Sequence, residues 1–108
     1  MTKPIARVGP AARRDLDAHV LWLRGEADVE TADRLAEAAI ETFAALAVSP
    51  GLGSPAESDR PGLSDLREWP IDGFPNLRAF YVPITRGVRI VRMLHVAQDW
   101  TAILAIRR

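Results

Sequence analysis

The hydrophobic period changes once along this chain, and the order of the two periods leaves few folds open. From Ala12 to Leu46 apolar residues recur at three- and four-residue steps, the spacing of a helix face. From Leu66 to His95 they recur at every second position, the spacing of strands. Residues 49–62, SPGLGSPAESDRPG, obey neither period and read as a surface loop.

The helical part divides in two. Residues 4–8 are a short β-capable stretch, and Gly9-Pro10 ends it where a helix can begin. Ala12, Leu16, Val20 and Leu23 then share one face, Gly25 suits a helix end, and Asp28 is placed to cap a second helix. Ala32, Leu35, Ala39, Phe43 and Leu46 repeat the face, so an αα-hairpin is expected, with an alanine-lined groove for a partner that would bind as an amphipathic helix or as an added strand. In the strand part, residues 66–71 form one strand candidate and residues 73–76, GFPN, a turn. Residues 77–84 and 88–95 then flank Arg86-Gly87 as a hairpin. Strict alternation puts Val88, Ile90, Arg92 and Leu94 on one side and Arg89, Val91, Met93 and His95 on the other. Both sides are largely apolar, which marks a central strand. Periodicity does not decide whether the tail, DWTAILAIRR, is helix or strand.

The expected fold is α+β: an N-terminal strand, a helical hairpin, then a mainly antiparallel three- to four-stranded sheet covered on one face by the helices. Trp22, Phe43, Leu46, Leu66, Phe80, Ile90 and Leu94 should meet in one core. A chain of 108 residues suits a single domain.

Composition narrows the function. Fourteen basic residues balance fourteen acidic ones, so no net field draws in nucleic acid or an anionic membrane. The charge is uneven, however: residues 77–95 carry Arg78, Arg86, Arg89 and Arg92 with no acidic residue, while residues 15–41 are mostly acidic. The absence of cysteine excludes disulfides, thiolate metal sites and a cysteine nucleophile. Two histidines are too few for a metal site without carboxylates, so neither a metal nor another cofactor is expected. With no signal-peptide core and no membrane-length apolar run, a cytoplasmic protein is expected.

Five groups of residues, in order, carry a resemblance. Pro10, Ala12, Asp15 and Leu16 form P-x-A-x-x-D-L, and Pro50, Leu52 and Gly53 form P-x-L-G. Leu66, Arg67, Trp69, Gly73 and Phe74 form L-R-x-W-x-x-x-G-F; Phe80-Tyr81 and the run Arg92-Met93-Leu94-His95 follow. The series resembles the ParE branch of the ParE/RelE toxin superfamily of bacterial type II toxin–antitoxin systems. Gly9 departs from it, standing where the family often has a serine that would cap the first helix.

That resemblance implies a toxin neutralised by a cognate antitoxin in a hetero-oligomer, with DNA gyrase as target and no cofactor. It also supplies a rival, since RelE-like members are ribosome-dependent messenger RNA endonucleases; a non-toxic interaction module is a third reading. A nuclease needs converging cations and an acid–base pair to activate a ribose hydroxyl and stabilise a phosphate in transit. Arg78, Tyr81 and His95 are the residues that match such a site. The earlier strand offers Arg67, Glu68, Trp69 and Pro70 instead of a lysine-rich pattern, and Gln98 and Asp99 follow His95, so most of the cluster is missing. The bland alternatives weigh more. Arg78 reads as a surface charge or an antitoxin contact, Arg67 as packed on a ring or paired with a carboxylate, and His95 as a strand-end hydrogen bonder. His19 reads as a partly buried helix residue, and Asp15 as a macrodipole partner without a functional role. Of Phe80 and Tyr81, one ring should be core and the other partly exposed. Candidate contacts for target or antitoxin are Arg67, Trp69, Arg78, Arg89, Arg92, His95 and Trp100; no catalytic residue is favoured, and no sequence-specific nucleic-acid binding is expected.

Overall fold

The computed structural model describes residues 3–107. The elements in chain order are β1 (Ile5–Val8), α1 (Pro10–Glu26), α2 (Val29–Val48), β2 (Ser54–Pro55), β3 (Arg67–Ile71), β4 (Phe74–Ile84), β5 (Gly87–His95) and α3 (Trp100–Leu104). One five-stranded sheet runs β1-β5-β4-β3-β2, with β1 parallel to β5 and the other neighbours antiparallel. The α+β order is therefore as expected, but the sheet has five strands instead of three or four, because Ser54–Pro55, in the stretch read as a loop, pairs with β3 and the first strand returns beside the last. Gly87 makes that approach possible: a Cβ there would lie 1.8 Å from the carbonyl oxygen of Ile5.

Local chemistry explains the helix limits. Gly9 caps α1 without a side-chain bond, and Pro10 occupies the first turn, where its missing N–H is not needed. Asp28 caps α2 by accepting from the Thr31 N–H at 2.6 Å, and that backbone bond holds its carboxyl below the usual range. The GFPN stretch is not the turn. Its phenylalanine already opens β4, and the reversal falls on Asp72-Gly73, where Gly73 takes φ 77°.

The expected single core is two. On the helix side, Leu16, Leu35, Phe43 and Leu46 pack against Ile71, Tyr81, Ile90 and Met93. On the far side, Leu66, Phe80, Val82, Leu94 and Leu104 form a second cluster with Ala56 and Leu63. Trp22 joins neither and is 63% exposed. The tail supplies the physical reason: α3 and the loop before β3 cover the face that a helical hairpin alone would leave wet. Phe80 and Tyr81 are consequently both buried, one on each side, instead of one buried and one exposed. A bulge completes the correction. Tyr81 pairs with Ile90 and Phe80 with Arg92, leaving Val91 without an opposite residue, so alternation shifts and Met93, not Leu94, follows Ile90 toward the helices. Ala12, Ala32 and Ala39 are fully buried and let the hairpin lie close to the sheet, while Ala44 and Ala47 line, with Ile40 and Val48, a cleft between α2 and β1.

Candidate functional site

The bulge in β5 is held from α1. Asp15 accepts from Arg92 Nε at 2.7 Å, from Arg92 Nη2 at 2.9 Å and from the Met93 N–H at 2.9 Å. The Asp15 carboxylate thus satisfies a backbone donor and forms a bidentate pair, and it raises the Arg92 pKa further above its ordinary value. Asp15 is the sixth residue of α1, beyond the first turn, so the macrodipole reading does not hold; its task is structural, and Arg92 is engaged inside the molecule.

Tyr81 fastens the loop after α2. Its hydroxyl donates to the Pro50 carbonyl at 2.7 Å and accepts from the Gly53 N–H at 2.8 Å. Arg67 donates from Nη1 to the Gly53 carbonyl, on the same turn. Burial pushes the Tyr81 phenol up, against the lowering effects of the Gly53 N–H and of Arg67. A Cβ on Gly53 would lie 2.6 Å from the tyrosine oxygen, so only glycine fits under the ring. The P-x-L-G motif is the strap that this tyrosine holds.

His95 ends β5 in a hydrogen-bonded turn. Its N–H donates to Gln98 Oε1 at 2.7 Å, its carbonyl accepts from Gln98 N and from Trp100 Nε1, and its ring Nδ1 accepts from the Ala97 N–H at 3.0 Å. With Nδ1 used as an acceptor, the proton of the neutral ring sits on Nε2, a poor arrangement for a general base. His19 is turned by the Met93 carbonyl, 3.1 Å from its Nε2. Both histidines line one cleft of about 270 Å³ between α1 and the start of β4, beside Trp22, Phe74 and Leu77. Alternation had put Arg92 and His95 on opposite faces; through the bulge both lie on the α1 side.

The remaining candidates scatter. Arg78 shares the far face with Phe80 and reaches Glu68 at 3.5 Å, while its Nε is buried without a hydrogen-bond partner among the described residues. Trp69 is half-buried against the helix-side core, and Trp100 meets Phe80 edge-on at 4.9 Å beneath the far face. Arg89 is exposed and stands opposite Arg7 on β1. The seven proposed contact residues therefore form no single surface: Arg67, Trp69, Arg92 and His95 belong to the helix side, Arg78, Arg89 and Trp100 to the other. The nuclease trio does not assemble either. Tyr81 is buried with its hydroxyl doubly bonded, and Arg78 lies across the sheet from His95. Among the described residues no group of three or more histidine or acidic side chains could hold a metal ion, and no helix is long and apolar enough to cross a membrane.

The architecture matches that of a solved structure. That structure, described as "Chromosomal ParDE TA system from P. aeruginosa", superposes with a TM-score of 0.67 at 18% identity, covering 83% of this chain and 92% of that one. Likeness at that identity concerns the fold. The family follows from sequence: the model for the ParE toxin of the type II toxin–antitoxin system parDE matches residues 6–100, and the chain belongs to that family. None of the curated proteins matches it.

Proposed function

We propose that this ParE-family toxin acts in the cytoplasm by binding DNA gyrase and blocking its action on DNA, and that a cognate antitoxin encoded beside it holds it inactive. The observation that carries the choice against message cleavage is the dispersal of Arg78, Tyr81 and His95. Their chemistry requires convergence on one phosphate, and they occupy two faces of the sheet, one of them with its hydroxyl committed to the backbone. A target-binding toxin needs only a complementary surface. The helical hairpin offers one, since Leu21 and Trp22 on α1 and Ile40 and Val48 on α2 are all more than half exposed, and an amphipathic antitoxin segment could cover such side chains.

Inducing the chain alone in growing cells tests the reading. Growth should stop, with DNA synthesis halting before protein synthesis and messages remaining whole, and co-expression of the neighbouring reading frame should restore growth. Early message cleavage would transfer the chain to the nuclease reading, and unimpaired growth would make it an interaction module.

A further inference from the structure

The two ends of the sheet differ. β2, at one end, has two residues and one of them is proline, which blunts it against further pairing. β1, at the other, is open. The N–H groups of Ile5 and Gly9 bond inward to the carbonyls of Arg86 and Ile90, at 2.8 Å and 2.9 Å. By alternation Ala6 and Val8 turn their peptide groups outward, and no described residue bonds to them.

The two faces of this edge have opposite character. On the far face Arg7 stands directly opposite Arg89 in the β1–β5 ladder, an arrangement of like charges that destabilises a sheet. Arg86 joins them around a cleft of about 320 Å³ lined also by Ile5, Ile84 and Thr85. Among the described residues none of these three arginines has an ion pair or side-chain hydrogen bond, whereas Arg13, Arg78, Arg92 and Arg107 each face a carboxylate within 4.0 Å. Residues 1–14 and 73–98 contain no acidic side chain that could serve. On the helix face, Ala6 and Val8 line an apolar cleft of about 330 Å³ with Ile40, Ala44 and Val48.

We propose that the open edge of β1 receives an extended segment of a partner protein in which acidic and apolar side chains alternate. Backbone bonds form to Ala6 and Val8, carboxylates meet Arg7, Arg86 and Arg89, and apolar side chains fill the cleft at Ile40 and Val48. Strand addition of this kind takes affinity from the main chain and specificity from alternate side chains. The arginines that select an acidic partner also exclude a second copy, because pairing two β1 edges would bring two Arg7 side chains together. A nucleic-acid strand fits less well: the arginine cleft has no aromatic ring for bases, and the peptide groups of β1 and the apolar cleft would remain unused. The inference extends past the proposed function, since it holds whichever protein supplies the segment.

The test uses the full chain and a fluorescein-labelled nine-residue peptide of alternating glutamate and valine, followed by anisotropy and by amide hydrogen exchange. Saturable binding is expected, with slowed exchange at Ala6 and Val8 and no binding of the lysine–valine counterpart. The double variant R7E/R89E should weaken binding about tenfold or more, as loss and reversal of several exposed pairs implies. R7E alone replaces a like-charge pair by an opposite one, so its melting temperature should not fall, which separates lost binding from lost folding. Failure of the peptide to bind, equal binding by R7E/R89E, or unprotected Ala6 and Val8 amides at saturation would overturn the proposal. Tighter binding of a 20-base-pair DNA duplex, lost in R7E/R89E, would assign the arginines to phosphate instead.

Discussion

Replacing Asp15 by alanine removes three bonds at once. The carboxylate is 13% exposed and Arg92 25%, so the pair is partly shielded, and truncation leaves both the guanidinium and the Met93 N–H without their acceptor. Breaking a fully buried pair costs about 3–5 kcal/mol, and the residual access to water at Arg92 places this case near the lower end, about 3 kcal/mol. For a domain of this size that corresponds to a fall in melting temperature of about 12 °C. Urea unfolding followed by tryptophan fluorescence would measure it, alone and in a cycle with Arg92→Met. Asp15→Ala should cost about 3 kcal/mol and Arg92→Met somewhat less. The double variant should fall short of their sum by about 1.5 kcal/mol, because the two residues share one interaction. The slope of the unfolding curve should not change. A cost below about 0.5 kcal/mol for Asp15→Ala, or strict additivity, would refute the view that this pair fastens α1 to the β5 bulge.

Three further outcomes follow from the same geometry. Tyr81→Phe leaves the Pro50 carbonyl and the Gly53 N–H unpaired beneath a buried ring and should cost about 2–3 kcal/mol in the same unfolding assay, with faster proteolysis in the loop after α2. Phe80→Ala empties the far core beside Trp100 and should cost about 3–5 kcal/mol, a loss absent if that core were only a surface cluster. The Asp28 carboxyl titrates below its unfolded value, so its cap stabilises α2 above the unfolded pKa and loses effect as pH falls through the folded one. Melting curves of wild type and Asp28→Ala should therefore differ at pH 7 and converge as the pH falls through the folded value, below the ordinary aspartate range.

Local signals were legible where a few neighbouring residues decide the outcome. Gly9-Pro10 started α1 and Asp28 capped α2, each through chemistry contained in its own stretch, and the β4–β5 hairpin was legible to within one residue: its turn is Thr85-Arg86, with Gly87 already in β5 opposite Ile84. What depended on distant partners was hidden. The bulge at Val91 arises from how β5 meets β4 and α1, so counting by twos placed Arg92 and Leu94 on one face when they lie on two. The second core required knowing that the tail folds into α3 across the sheet, and DWTAILAIRR carries too short an apolar pattern to announce it. Tyr81 illustrates both limits. Its need for a buried partner was clear from its chemistry, but that the partner is the strap at Pro50 and Gly53, some thirty residues earlier, emerges only in three dimensions. The cleft shared by His19 and His95 and the opposition of Arg7 to Arg89 had no signal within either local stretch.

The central claim, a ParE-family toxin that works by binding gyrase without a nuclease site, is tested most directly by adding the purified chain to DNA gyrase and relaxed plasmid and measuring supercoiling. Inhibition that rises with toxin concentration and persists in Arg78→Ala and His95→Gln is the predicted result. Undiminished supercoiling, together with position-specific cleavage of a message on translating ribosomes that disappears in those two variants, would contradict it.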